Sequence, residues 1–389
     1  MIVLAGADVV LAEGIRSPAS LIIERDRIVD VVPSSTGAGA AAQHHDLSRY
    51  FVVPGFVDVH VHGVAGTDVL DEGSDTLTRI AVGLARYGVT AFCPTTVACS
   101  AEALDRTLQS VRRLKEHPAP DGAQVIGAHL ESNFINPEYK GAQPADYLYQ
   151  FSSGDADAIL REVSRSRQSV SIVTLAPELD GALNVIRSLV ETGVRVSLGH
   201  SGASFETAEA AIDAGARHAT HLFNRMPPLH HRDPGLAGAV LNRHEVTAEI
   251  ICDGVHVSSP MIRIAMAAKG ADGIMAITDG TAASGLAEGG IAALGGRRIC
   301  VRDGAAWLDD GTLAGSAATM DRVFRFLVHR VGLSLSEASR LCSTTPAAAL
   351  GLHDRGAIMK GAVADLVVLD QELAVKQTYV SGRLVYSAI

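Results

Sequence analysis

A chain of 389 residues, 47% hydrophobic with a mean hydropathy of +0.21, has apolar material for a large core and a second, smaller unit, which sets aside disorder as its resting state. A net charge of -10 and an isoelectric point near 5.8 lack the basic footprint of a nucleic-acid binder. Five cysteines, Cys93, Cys99, Cys252, Cys300 and Cys342, show no C-x-x-C spacing, which disfavours a disulfide framework or a thiolate zinc site and suits a reducing cytoplasm. The opening stretch MIVLAGADVVLAEG meets acids at Asp8 and Glu13, and no apolar run approaches the roughly 20 residues that would cross a bilayer, so no membrane partner is expected.

In chain order, residues 1 to about 50 read as short strands, ADVVLAEG and SLIIERDRIVDVV, followed by a Gly/Ala/Ser stretch at 34–42 that reads as a mobile loop. From 51 to 279 eight β-rich runs follow: VVPGFVDVHVHG, GVTAFCPTT, AQVIGAHLES, SIVTLAPE, RVSLGHSG, HATHLFN, TAEIICDGVH and GIMAITDG. Helical segments such as TLTRIAVGLARYG, AEALDRTLQSVRRLKEH and LNVIRSLVETG separate them. That alternation predicts an α/β chain built as a closed (β/α)8 barrel of the TIM type. A Gly-rich stretch, a hairpin RRICVRDGAAWLDDGTL, helical segments around 317–331 and 334–351, and strands in GAVADLVVLDQELAVKQTYVSGRLVYS complete the chain. Neither terminal β segment makes a core alone, so residues 1–52 and 356–389 are expected to share one small β-sandwich domain beside a barrel spanning 53–355.

In the first run Val57, Val59 and Val61 alternate with Asp58, His60 and His62. Period-two geometry predicts the valines on the outer face and both imidazoles at the mouth of the barrel. One histidine in a strand is usually a hydrogen-bonded core residue; the pattern here recurs. Glu131 ends the third run, His200 the fifth, His221 the sixth, His256 the seventh and Asp279 the eighth. Imidazoles with carboxylates suit zinc or another divalent first-row metal, and so many polar groups at equivalent positions would be costly to bury without a partner. A metal that activates water and polarises an amide carbonyl, with a carboxylate across the site to handle the proton, makes a coherent hydrolase. His129 and His218 share strands with Glu131 and His221 and read as core residues. His44, His45, His117, His329 and His353 read as solvated residues of loops or helices, and His230, His231 and Arg232 as a loop after the sixth strand.

Together, PGFVDVHVHG, HLESNFINPEYKGAQ, SLGHSGA, ATHLFNRMPPLHHRDPGLAGA, DGVHVS, MAITDG and GTLAGSAATM resemble the N-acetylglucosamine-6-phosphate deacetylases of the amidohydrolase superfamily, from the first barrel strand to beyond the eighth. The resemblance implies that Glu131, His200 and His221 hold the main metal, with His60 and His62 available for a second ion bridged by Glu131. The fourth run, SIVTLAPE, has no lysine to be carboxylated as a bridge. Asp279 is implied as general base and acid, taking a proton from the attacking water and returning it to the leaving amine. His256 is implied on the substrate, and Asn224 with the adjoining backbone amide on its phosphate, joined by Arg232 from the neighbouring subunit of a homodimer.

The pocket departs from the family pattern. Ser132 and Asn133 stand where Gly-Pro is usual, Gln143 where histidine is common, and Arg225 where a small residue is common. Gln143 and Arg225 join the candidate substrate contacts. Ser132 and Asn133 either alter hydroxyl recognition or reshape a turn, and Arg225 either strengthens phosphate binding or favours a carboxylate. Three functions remain in view: hydrolysis of the N-acetyl group of an amino-sugar 6-phosphate, deacylation of another N-acyl substrate, and a non-catalytic scaffold. The scaffold would be expected to have lost metal-compatible residues, and none is missing.

Overall fold

A computed structural model describes residues 1–33 and 43–389; the loop expected at 34–42 lies outside the described residues. Each of the eight runs supplies one barrel strand: Phe56–Val61, Val89–Thr96, Ala128–Glu131, Val170–Leu175, Arg195–Leu198, His218–Ala219, Thr247–Ile251 and Ile274–Ile277. Neighbours pair in parallel and in chain order. The barrel closes where the last strand ends: Val61 bridges Gly280, the Asp279 N–H donates to His60 O at 3.0 Å, and the His62 N–H donates to Gly280 O at 2.7 Å. Closure and candidate site therefore share the C-terminal ends of the first and eighth strands.

The crossover helices follow the sequence periodicity. Ala101–Glu116 starts at Ser100, whose side chain accepts from the Ala103 N–H, with Glu102 in its first turn and Arg113 and Lys115 in its last. Both placements favour the helix dipole. Its buried positions, Leu104, Thr107, Leu108, Val111 and Leu114, recur three or four apart and form the face laid against the barrel.

The first strand departs from strict alternation. Its register against the second strand slips between Asp58 and Val61, a step of three residues matched to the two from Phe92 to Pro94. Val61 packs with the helix residues Leu77 and Ile80, whereas Val57 and Val59 join Ala91, Cys93, Ile172, Met275 and Ile277. Ile172 and Met275 sit on strands at opposite sides of an eight-stranded barrel, so a cluster holding both fills its interior. The expectation that all three valines face outward is thus corrected. A bulge shifts the side-chain parity part-way along the strand, so the two imidazoles lie above an apolar floor made partly by the same strand. Ala347 and Leu350 belong to the same interior cluster and close its far end.

Strands from both chain ends share one sheet, in which Phe51–Pro54 pairs in parallel with Ile2–Leu11 and antiparallel with Leu366–Leu369. The sheet carries its own core of Leu4, Leu21, Ile23, Val52, Leu366 and Tyr379. His44 and His45, expected in a loop, lie in its strand Gln43–Asp46. The expected hairpin extends to a four-stranded antiparallel sheet, Ile291–Leu294, Arg297–Arg302, Ala305–Leu308 and Leu313–Ser316. Its last strand brings Leu313 and Gly315 to the cavity above the barrel.

Candidate metal centre

Glu131 ends the third strand, His60 and His62 lie at the end of the first, and His200, His221 and Asp279 follow the fifth, sixth and eighth. The last three hold left-handed backbone, with φ of 49°, 30° and 48°, a conformation that costs a residue with a Cβ on the order of 1–3 kcal/mol. Surrounding hydrogen bonds keep them there. Asn136 N–H donates to His200 O at 2.9 Å, Asn224 N–H to His221 O at 2.9 Å, and Ser316 N–H to Asp279 O at 2.8 Å. Each strained turn swings its side chain over the barrel axis.

The side chains converge on Glu131. Its Oε1 lies 2.9 Å from His200 Nε2 and 2.8 Å from His221 Nε2, and those two nitrogens are 3.0 Å apart. Beside them, His60 Nε2 and His62 Nε2 are 3.2 Å apart, and Asp279 Oδ1 lies 3.3 Å and 3.2 Å from them. Glu131 Oε2 reaches to 3.4 Å from His62 Nε2 and joins the two groups. The opposite ring edges fix the tautomers. His200 Nδ1 donates to Tyr139 O at 2.8 Å, His62 Nδ1 to Thr95 O at 3.1 Å, and His60 Nδ1 to Glu249 Oε2 at 2.9 Å. Carbonyl oxygens only accept, so in the neutral rings of His200 and His62 the Nε2 atom carries a lone pair, and an ionised Glu249 imposes the same on His60. Lone pairs that face carboxylates and one another repel unless a cation lies between them. Three imidazoles so oriented, a fourth at His221 and two carboxylates form a donor set that fits a divalent metal.

Protons compete for the same lone pairs. Burial pushes His60 down to about 4. Burial also lowers His62, but hydrogen bonds and charge from Asp279 and Glu131 together outweigh it and hold that ring at about 10. Burial raises Glu131, and the histidines around it, His200 foremost, bring it well below the ordinary carboxylate range. His221 too is raised despite its burial, by Glu131 and Asp279, so the two carboxylates draw positive charge into the centre, the electrostatic demand that a metal meets.

A cavity of about 400 Å³ opens above these groups, and His256, Asn224, Arg225 and Gln143 all line it. His256 is held at Nδ1 by Asp253 Oδ2, 2.7 Å away. Arg225 has left-handed backbone, φ 52°, and its side chain crosses Gly141, where a Cβ would come within 2.5 Å of its Nε. Gln143 is engaged at both ends of its amide, accepting from the Ala98 N–H at 2.8 Å and donating to Glu131 Oε2. Arg232 is exposed, lies against His231 Nε2 at 2.8 Å and does not line the cavity of its own chain.

Of the two readings of Ser132 and Asn133, the geometry favours the turn. Ser132 Oγ donates to Thr174 O at 2.5 Å, and Asn133 Nδ2 donates to Cys99 O at 2.7 Å and Tyr147 O at 2.8 Å; neither residue lines the cavity. His129 is a core residue, bonded at 3.0 Å to Val59 O and at 2.7 Å to Thr174 Oγ1. Sequence reasoning missed Glu249, fully buried in the seventh strand against His60. The signal is a carboxylate embedded in the apolar run TAEII, in mid-strand rather than at the strand ends where the other candidates collect.

Residues 51–385 match the model of the amidohydrolase family. The chain is 37% identical over 368 residues to the N-acetylglucosamine-6-phosphate deacetylase of Lysinibacillus sphaericus, covering 92% of this chain and 94% of that one. It is 36% identical over 333 residues to the N-acetylgalactosamine-6-phosphate deacetylase of Escherichia coli O157:H7, covering 85% and 86%. Among solved structures, a mutant N-acetyl-D-glucosamine-6-phosphate deacetylase of Mycobacterium smegmatis, in complex with N-acetyl-D-glucosamine-6-phosphate, superposes with a TM-score of 0.90 at 35% identity, covering 99% of each chain. The chain belongs to the amidohydrolase family, within the group formed by the N-acetylglucosamine-6-phosphate deacetylases.

Proposed function

We propose that this chain hydrolyses the acetamido bond of N-acetylglucosamine 6-phosphate, consuming one water and releasing acetate and the free amino-sugar phosphate. The observation that carries the reading is the convergence of His60, His62, His200 and His221 on Glu131, with Asp279 opposite, beneath a cavity lined by Arg225. Glu131, His200 and His221 would hold a divalent cation, zinc by the chemistry of the donor set, and His60 and His62 would offer a second site. A cation held there makes water nucleophilic near neutral pH and polarises the acetamido carbonyl.

The remaining work falls to the chain's own groups. Asp279 Oδ1 takes the proton of the attacking water and delivers it to the leaving nitrogen, two transfers that require one carboxylate at a fixed place. Its backbone, pinned between His60 O and the Ser316 N–H, supplies that fixity. His256 orients the sugar, and Asn224 with Arg225 holds the phosphate, the guanidinium meeting a dianion in its preferred planar geometry. Arg232, exposed on its own chain, would complete the grip in the partner of a homodimer. Four of the five cysteines are buried as free thiols, which supports a cytoplasmic setting, and among the described residues no helix is long and apolar enough to cross a membrane.

A second reading, the galacto epimer, rests on the nearly equal similarity to the Escherichia coli relative. Initial rates of the zinc-loaded protein on both sugar phosphates and on unphosphorylated N-acetylglucosamine separate the readings. Preference for N-acetylglucosamine 6-phosphate is expected. Preference for its epimer would transfer the assignment to that sugar, and indifference to phosphate would point to another N-acyl substrate.

A further inference from the structure

We infer that Glu249 is a positioning residue that holds the His60 imidazole in the tautomer whose Nε2 lone pair points into the metal centre. The inference rests on the metal-dependent deacetylase reading. Glu249 is 0% exposed in the middle of the seventh strand. Its Oε2 accepts from His60 Nδ1 at 2.9 Å, whereas its Oε1 has no hydrogen-bond partner among the described residues. A carboxylate so placed is costly to bury and is stabilised only by what it touches. The nearest alternative, His129 Nδ1, is 3.8 Å away and already bonded to Val59 O. The other contact, the backbone N–H of His221, is long at 3.5 Å. Of the groups around it, His60 Nδ1 is therefore the one that this carboxyl engages most closely.

The geometry gives that interaction a task. With its hydrogen on Nδ1, His60 presents Nε2 at 3.3 Å from Asp279 Oδ1 and 3.6 Å from Glu131 Oε1. In the other tautomer an N–H would occupy the place where a cation must bind. A carboxylate on the remote ring nitrogen selects the productive tautomer, fixes the ring plane and raises the basicity of the near nitrogen. Gln143 holds Glu131 from the cavity side, whereas Glu249 holds His60 from within the barrel.

Nitrogen-15 NMR of histidine-labelled protein, metal-free and zinc-loaded, tests this, with His60→Asn identifying the resonances. Wild type is expected to carry the His60 proton on Nδ1. Glu249→Leu is expected to scramble the tautomer and lower kcat by roughly 10- to 100-fold with little change in KM, and Glu249→Gln, which keeps an acceptor oxygen, to recover most of that loss. A wild-type His60 protonated on Nε2, or a Leu variant with wild-type kcat, would overturn the inference. If the Leu variant does not fold, the wild-type tautomer and the Gln variant still decide. If wild type hydrolyses neither sugar phosphate, the proposed function fails, while the tautomer still judges Glu249.

Discussion

Asp279 and His200 line the same cavity yet should fail differently. Asp279 Oδ1 faces His60 and His62 at 3.3 Å and 3.2 Å and lies outside the Glu131, His200 and His221 group. Asp279→Asn preserves shape and an acceptor oxygen but cannot accept a proton. It is expected to retain bound metal after dialysis while kcat falls by roughly 10²- to 10⁴-fold, the usual scale of a lost general base. His200→Ala removes one of three donors around a single point and is expected to lose metal. Metal content by atomic emission, measured beside turnover, distinguishes the two. Full activity in the Asn variant contradicts the proton-transfer role, and full occupancy in the Ala variant contradicts the ligand assignment.

At the scale of elements, the loop after the sixth strand puts His221, Phe223 and Arg225 all in left-handed backbone, at φ 30°, 78° and 52°. His221 and residues 223–226 of this loop line the cavity, and Arg225 comes to lie over Gly141 of the loop after the third strand. Arg225 has no ion-pair partner among the described residues, so its charge is available to a ligand. Gly141→Ala would put a methyl group 2.5 Å from Nε, at a φ of 57° that already favours glycine, and would push the guanidinium aside. Both Gly141→Ala and Arg225→Ala are expected to raise KM for the phosphorylated sugar several-fold with little change in kcat. The double variant should be no worse than either alone, since both remove one interaction. Additive losses in steady-state kinetics would separate the two residues. Arg225 was legible as a residue type beside a proposed anion site; its dependence on Gly141 was not, because that contact joins loops far apart in sequence through a backbone angle.

For the whole molecule, the barrel was readable because parallel strands covered on both faces give short apolar runs, and because chemistry collects where those runs end. What escaped reading depended on partners across the fold. The bulge at Asp58 to Val61 is a matter of register against another strand, and Glu249 meets His60 across 189 residues. His218 shows the same limit: it reads as a core residue, but only the fold reveals its setting, in which a backbone hydrogen bond to Ala349 is outweighed by burial. Its Nδ1 has no partner among the described residues, and burial, reinforced by the nearby Arg195 cation, pushes it down from 6.5 to about 3. The folded chain therefore refuses a proton that the unfolded chain accepts near pH 6.5. Because the folded value is the lower one, the neutral ring's contribution is intact above pH 6.5 and is lost progressively as pH falls toward 3, at about 1.4 kcal/mol per pH unit. Between pH 7 and pH 5 this one group should remove about 2 kcal/mol of stability. Urea unfolding of wild type and His218→Gln at the two pH values measures it: the variant is expected to be less acid-sensitive by that amount. Parallel pH profiles would mean that His218 takes up its proton without unfolding, and that the barrel interior admits a charge there.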